Sequence, residues 1–401
     1  MERKLIYLDN NATTKVDEQV LAEMLPYFSE NYANPGGMYD FAGKMNKKLA
    51  DARESVKELF GASSQEEILI TASGSESANT AIRGIVNASH GRKHIITTKV
   101  EHPCVLNTYE ALEKEGHKVT YLGVDAHGNL NPDELEEAVK PETALVSVMA
   151  ANNETGIIFP YEKIAEIVKA KNPETKVFVD AVQGAGKIKL DFKNTKVDLA
   201  SVSGHKFHAP KGIGALYIKK GTKIKPLITG GHQERGRRAG TENTAGIIGM
   251  GKAAQLAAES LADELTRVKR LRDKLENSIL SNIYNARLNS SVGNRVPNTT
   301  NIGFEYIEGE LILLYMNEAG ICASSGSACT SGSLDSSHVL KAMGVPFTSL
   351  HGSIRFSLSR FTTEEEIDYT CRVMPDIINK INALSPFQKE LGELKAAKNT
   401  K

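Results

Sequence analysis

The chain has 401 residues, enough for a large core and more than one lobe, and its 49 basic side chains balance 49 acidic ones. That balance argues against nucleic acid or an anionic membrane as a main partner. The start, Met1-Glu2-Arg3-Lys4 leading to Asp9, holds no apolar signal core, and no run is long enough to cross a bilayer. Four cysteines, at 104, 322, 329 and 371, are too few for a disulfide scaffold and predict reduced thiols in the cytoplasm. There is no CxxC pair, and neither His205 with His208 nor His102 with Cys104 has metal-site spacing.

In chain order, apolar runs predict strands over Ile68–Thr71, His94–Thr98, Val119–Gly123, Ala144–Met149, Val177–Val179, Leu199–Ser203 and Ala215–Ile218. Amphipathic stretches such as Asp133–Val139 and Ile164–Ala170 lie between them. This alternation predicts an α/β fold, a mostly parallel seven-stranded sheet with helices on both faces. Ala253–Leu280, free of Pro and Gly, predicts one long helix leaving the large domain. A strand-like stretch (Thr300–Tyr306), a helix (Gly309–Asn317), a Ser/Gly loop (Ala323–Ser333), a strand (Ser353–Leu358) and a helix (Thr363–Ile378) then predict a smaller α+β lobe. The domain division expected is 14–255 for the large lobe, with 1–13 and 256–401 forming the small one. Thr363 followed by three glutamates reads as a helix start, and the charged tail Gln388–Lys401 reads as solvated or mobile.

Ligands of open α/β sheets bind at strand ends, and two strand ends here carry chemistry. One run ends in Asp180-Ala181-Val182-Gln183, another in Ser203-Gly204-His205-Lys206. A Lys and an Asp so placed suit pyridoxal phosphate: the Lys forms a Schiff base with the aldehyde, and the Asp pairs with the protonated ring nitrogen. A surface Lys and an ordinary strand-end Asp are the plain alternative. Ser73-Gly74-Ser75 opens a helix after a strand, where backbone N–H groups favour a phosphate. Ser203 and His205 offer further donors. His102 is placed to stack on a ring and move protons, or to be satisfied by local backbone. Asn153 and Gln183 are candidates for the ring oxygen, with turn chemistry as the alternative for Asn152-Asn153. The glycine-rich basic loop from Gly230 to Thr241 either reaches an anion or is a solvated turn. Arg355, inside a strand, needs an anionic partner: a substrate carboxylate or a structural carboxylate.

Cys329 sits in Ser324-Ser325-Gly326-Ser327-Ala328-Cys329-Thr330-Ser331, a loop with almost no apolar surface to bury a thiol. A nucleophilic role is expected for it. Cys104, Cys322 and Cys371 have apolar neighbours and read as packing residues.

Taken together, these segments resemble the pyridoxal-phosphate-dependent cysteine desulfurases of the class-V aminotransferase superfamily, in their NifS/IscS-like group. The resemblance rests on YLDNNATT (7–14), EHPCV (101–105), NNETG (152–156), DAVQ (180–183), SGHK (203–206), GGHQERGRRAGTEN (230–243), SSGSACTS (324–331) and RFSLSR (355–360). It implies a fold-type-I homodimer that takes L-cysteine and yields L-alanine, with sulfur passing to a persulfide on Cys329 and on to an iron–sulfur scaffold or other acceptor. It implies Lys206 as the Schiff-base lysine, Asp180 at the ring nitrogen, His102 stacked on the ring, and Asn153 and Gln183 at the hydroxyl side. Phosphate contacts fall on Gly74, Ser75, Ser203 and His205, with Thr241 reaching across the dimer. Arg355 would bind the substrate carboxylate, and no metal is implied beyond a transient iron–sulfur contact at Cys329. Selenocysteine lyase and class-V aminotransferase are the neighbouring activities, and nitrogenase maturation is one destination for the sulfur. One departure, Gly36-Gly37-Met38-Tyr39 after Asn34-Pro35, lies where relatives carry Ser residues and a His.

Overall fold

Aliphatic and β-branched runs bounded by turn formers set the strands. The structure, a computed structural model, describes residues 5–325 and 336–399. A short strand β1 (Ile6–Tyr7) comes first. The strands β2 (Ile68–Thr71), β3 (His94–Thr98), β4 (Lys118–Leu122), β5 (Thr143–Met149), β6 (Lys176–Asp180), β7 (Leu199–Ser203) and β8 (Gly214–Ile218) come after it. They form one sheet in the order β2-β8-β7-β6-β5-β3-β4. Only β8 runs antiparallel to its neighbours; the other pairs are parallel. Every residue of β5 and β7 is buried, as sheets covered on both faces require. Each of the seven matches its sequence expectation to within one residue at either end.

On one face, helices Gly74–Ala88 and Pro103–Lys114 pack Ala78, Ile82, Val105 and Tyr109 against Leu69, Phe178 and Leu216. On the other, Tyr161–Lys171, Asp40–Phe60 and Thr244–Asp263 enclose the larger core. The last two helices touch at Gly251, where a Cβ would come within 2.5 Å of Ala52. Any side chain at 251 would force them apart.

The expected unbroken helix over Ala253–Leu280 is a correction. Helix Thr244–Asp263 passes through a π turn, Glu264–Val268, before continuing as Lys269–Asn282. A π turn inserts one residue and rotates the helix beyond it. Here it buries Glu264, which is 6% exposed.

The smaller lobe has β9 (Ala286–Leu288), β10 (Thr299–Phe304), β11 (Ile321–Cys322) and β12 (Ser353–Ser357). β10 lies antiparallel between β9 and β12, while β11 pairs in parallel with β1. Its core joins Ile6 and Leu8 to Leu275, Ile302, Phe356 and Ile378. Thr363 and Glu366 form a reciprocal cap on helix Glu364–Leu384, as their spacing predicts. Val339, Leu340, Met343 and Leu350 pack instead into the large-lobe core. The tail is exposed over most of its length, as its charge predicts, but it is helical and docked at two points. Gln388–Asn399 is helical, Leu391 is buried, and Lys398 Nζ donates to the carbonyls of Leu280 at 2.6 Å and Ile283 at 2.8 Å. One apolar anchor and one long cation dock a segment whose charged composition suggests solvent.

Candidate active site

The C-terminal ends of the parallel strands converge on a cavity of about 290 Å³. Its lining includes Gly74, Ser75, His102, Asn153, Asp180, Gln183, Ser203, His205, Lys206 and Arg355. Nine of these ten lie at the ends of large-lobe strands or in the segments just beyond them, and Arg355 comes from β12 of the small lobe.

Lys206 closes a short 3-10 turn after β7, and its Nζ donates to the carbonyls of Asn11 at 2.6 Å and Ala12 at 2.7 Å. Asp180 is the last residue of β6 and is buried. Its Oδ1 accepts from the Val182 amide at 3.0 Å and the Ser201 hydroxyl at 3.4 Å. Burial pushes the Asp180 carboxyl above its usual range; His102, those hydrogen bonds and Lys206 pull it back. A cation placed against it would favour the carboxylate further.

His102 caps helix Pro103–Lys114, its Nδ1 accepting from the Cys104 amide at 3.1 Å. Burial lowers its pKa, so the ring is neutral at pH 7. An accepting Nδ1 in a neutral ring leaves the proton on Nε2. His205 bonds the Thr13 hydroxyl through Nδ1 at 3.0 Å, and burial, with Lys206, lowers it to about 4.

Ser73 caps helix Gly74–Ala88 by accepting from the Glu76 amide, and the first intrahelical bond runs from Ser77 N to Ser73 O. The amides of Gly74 and Ser75 precede that bond, at the helix end that attracts anions. A Cβ on Gly74 would lie 3.0 Å from Val182 Cγ2 and 3.2 Å from Ser203 Cβ, so glycine keeps this corner open.

Arg355 is 3% exposed and reaches Asp9 Oδ1 at 2.8 Å and the Asn153 carbonyl at 3.0 Å. Its Nε has no partner among the described residues. A buried guanidinium with an unused N–H beside a cavity is suited to a second carboxylate. The Arg355 backbone also pairs with Ser324, at the start of the cysteine loop.

These features fit pyridoxal phosphate. The buried Asp180 suits a cationic ring nitrogen, the helix start and the Gly74 opening suit a phosphate, and Lys206 reaches the same cavity. Thr241 lies apart, exposed, in a separate pocket with Glu234, Arg238 and Glu242. Cys329 falls outside the described residues. Among the described residues no group of His, Cys, Asp or Glu is placed to hold a metal ion, and no helix is long and apolar enough to cross a membrane.

Sheet order, crossover helices and the strand-end cavity define a class of protein: the chain belongs to the class-V aminotransferases, whose family model, aminotransferase class-V, matches residues 6–370. Within that family its relatives are cysteine desulfurases. One from Trichormus azollae is 54% identical over 398 residues, covering 99% of this chain and 98% of that protein. The cysteine desulfurase NifS of Azotobacter vinelandii is 50% identical over 382 residues, covering 95% and 94%. A solved NifS-like protein superposes with a TM-score of 0.88 at 41% identity, covering 94% of this chain and 100% of the other.

Sequence reasoning missed several groups. Asn11 stands at the centre of the site: its side chain donates to Thr299 Oγ1 at 2.8 Å and to the Asn153 carbonyl at 3.1 Å, and its carbonyl accepts from Lys206 and Gln183. Glu101 is fully buried and raised well above the carboxylate range, by burial first and by Asp180 second. Its Oε1 accepts from Thr98 and Met149, and its backbone carbonyl pairs with His338 Nε2 at 2.9 Å. Glu154 accepts from the Ser337 hydroxyl. The motifs YLDNNATT, EHPCV and NNETG contain these residues, but composition alone offers no role for them. Cys104 packs against the core as expected and also lines the cavity, and burial holds its thiol protonated. Met38 and Tyr39, of the departing segment, are exposed and away from the cavity.

Proposed function

We propose that this chain converts L-cysteine to L-alanine and transfers the sulfur to Cys329, using pyridoxal phosphate held between Lys206 and Asp180. The observation that carries the reading is the meeting of Lys206, Asp180, His102, the Gly74 helix start and Arg355 in one cavity. Gly74, Ser75, Ser203 and His205 would hold the phosphate, with Thr241 serving the partner copy. Asp180 would hold the ring nitrogen, with His102, Asn153 and Gln183 lining the same cavity to receive the ring and its hydroxyl.

Bound there, the cofactor supplies an aldehyde carbon for an amine and a cationic ring that withdraws electrons from the substrate carbon. Arg355 orients cysteine through its carboxylate. The Lys206 amine takes the Cα proton and returns one to the product. His102, neutral with its proton on Nε2, is a second donor beside it. The thiol of Cys329 forms a bond to the substrate sulfur as the Cβ–S bond breaks. Cysteine and an enzyme thiol thus become alanine and an enzyme persulfide, with no outside oxidant.

We place the domain boundary near residues 14 and 255, supported by the separate core that joins Ile6 and Leu8 to residues from 268 onward. A homodimer is supported by exposed apolar side chains at Leu25, Phe28, Tyr32, Tyr39, Leu227 and Ile228. A cytoplasmic protein delivering persulfide sulfur to an iron–sulfur scaffold completes the reading, with nitrogenase maturation suggested by the NifS relative. The test is incubation with L-cysteine followed by intact mass and peptide mapping. Equimolar alanine and an added sulfur on the Cys329 peptide are expected; pyruvate without alanine, or sulfur on another cysteine, contradicts the reading.

A further inference from the structure

Lys187 is a buried lysine that the proposed mechanism does not use. It lies four residues after Gln183, in the turns that follow β6, and is 6% exposed. Its Nζ donates to Gln183 Oε1 at 2.6 Å and to Asn11 Oδ1 at 3.1 Å. Both partners are neutral amides, and a buried ammonium answered only by amides is costly. A purely structural role at this point would be met by an uncharged side chain.

The geometry has a consequence for Gln183. Gln183 Nε2 donates to the Asn11 carbonyl, so the Gln183 atom that accepts from Lys187 Nζ is the carboxamide oxygen. The Nε2 group is thereby turned away from Lys187. One of its N–H groups serves the Asn11 carbonyl at 3.0 Å, the same carbonyl that receives Lys206. The second N–H belongs to a side chain that lines the main cavity.

The charged groups around Lys187 come from three other elements. Lys206 faces it from the turn after β7, Glu264 from the π turn, and Arg355 from β12. Burial, Lys206 and Arg355 lower its amine to about 7, and Glu264 opposes them. Glu264 accepts from the Arg360 amide at 3.1 Å, and its Oε2 has no partner among the described residues. Lys187, Lys206, Glu264 and Arg360 line a small space of about 20 Å³ behind the site, room for about one water.

We propose that Lys187 is a positioning residue of the cofactor site: it locks the Gln183 carboxamide so that an N–H, never the oxygen, is offered to the hydroxyl side of the ring. This rests on the cofactor reading above. A fixed N–H there stabilises the ring oxygen as an anion and lowers the proton affinity of the neighbouring Lys206 nitrogen. Without Lys187 the carboxamide is free to rotate, and its oxygen would repel that anion.

The test is a pH titration of the visible absorbance of the substrate-free holoenzyme. Lys187→Met should raise the midpoint by about one pH unit, roughly a tenfold change in the protonation equilibrium. Lys187→Arg, which still only donates, should return it near the wild-type value. Gln183→Met should raise it as well, and the double variant should match Gln183→Met alone, because Lys187 acts through Gln183. A cofactor-loaded Lys187→Met with an unmoved midpoint, or shifts that add in the double variant, overturns the proposal. A crystal structure of the wild-type holoenzyme with Lys187 out of hydrogen-bond reach of Gln183 overturns it too, whether or not the variants fold. Absence of any visible band in the wild type would instead sink the cofactor reading.

Discussion

The two sides of the active-site cavity are built differently. The large-lobe side is a row of strand ends: Asp180 after β6, Ser203 and Lys206 after β7, His102 after β3 and Gly74 after β2. Each side chain is placed by its own strand, and neighbours in the sheet become neighbours in the site. The opposite side is a hydrogen-bonded web. Asn11 links Lys206, Gln183 and Lys187 to Asn153, Thr299 and Asn298, residues up to 288 positions away, and Arg355 joins through the Asn153 carbonyl. In the proposed reaction the strand ends supply the chemistry, and the web sets the position of one lobe's groups against the other's. Damage to the first should abolish reaction, and damage to the second should weaken it.

The largest effect expected is at the strand ends. Lys206→Ala should cut alanine formation by at least about a thousandfold, since in the proposed reaction Lys206 is both the amine that anchors the aldehyde and the base that moves the Cα proton. Its measure is alanine release under saturating cysteine. Cysteine substitutions separate chemistry from packing. Cys329→Ser should lose persulfide and alanine while keeping the cofactor band, because a hydroxyl is a poor nucleophile toward sulfur. Cys104→Ser should stay within about threefold of wild type, because a thiol held protonated by burial is not the nucleophile.

The web should give a smaller loss. Asn11→Ala removes side-chain bonds to Thr299 and Asn153 and the acceptor for Lys187, but keeps the carbonyl that receives Lys206. A fall in kcat/KM of about 10–100-fold is expected, with the cofactor still bound. A loss as deep as that of Lys206→Ala would erase the distinction between the two sides.

The smallest effect is on stability. His208 is buried, and burial, followed by Arg360, lowers its pKa to about 4. The unfolded chain binds that proton near pH 6.5, so as pH falls from about 6.5 to about 4 the unfolded state gains protons that the folded state refuses. Stability therefore drops in this window, by on the order of 3 kcal/mol for a fully buried group. His208 has a φ of 70°, which Asn tolerates. His208→Asn should be less stable at pH 7 yet lose less stability on acidification, read by urea unfolding at pH 7 and pH 5. An unchanged acid slope would assign the pH dependence elsewhere.

The contrast also explains what was legible in the sequence. Strands β2–β8 are short, apolar and regularly spaced, so their ends, and with them Lys206, Asp180, His102 and Gly74, could be located from pattern alone. Arg355 was legible because a guanidinium inside a strand demands an anion. Asn11, Lys187 and Glu264 were not. An Asn in a turn, a Lys in a polar stretch and a Glu in a charged helix look like surface residues until the fold buries them. The π turn that buries Glu264 leaves no mark in the periodicity, and the single anchor Leu391 is hidden in the charged tail.

The most direct test of the account is which amine carries the cofactor. Two lysines lie close to the Asn11 segment: Lys206, bonded to its carbonyl, and Lys187, bonded to its side chain and lowered to about 7, a reactive range. Borohydride reduction of the holoenzyme fixes the cofactor to its lysine as a stable secondary amine, and peptide mapping locates it. The account predicts one pyridoxyl-phosphate addition per chain on the peptide containing Lys206, and none on the peptide containing Lys187. Label on Lys187, or protein that takes up no label at all, would contradict it.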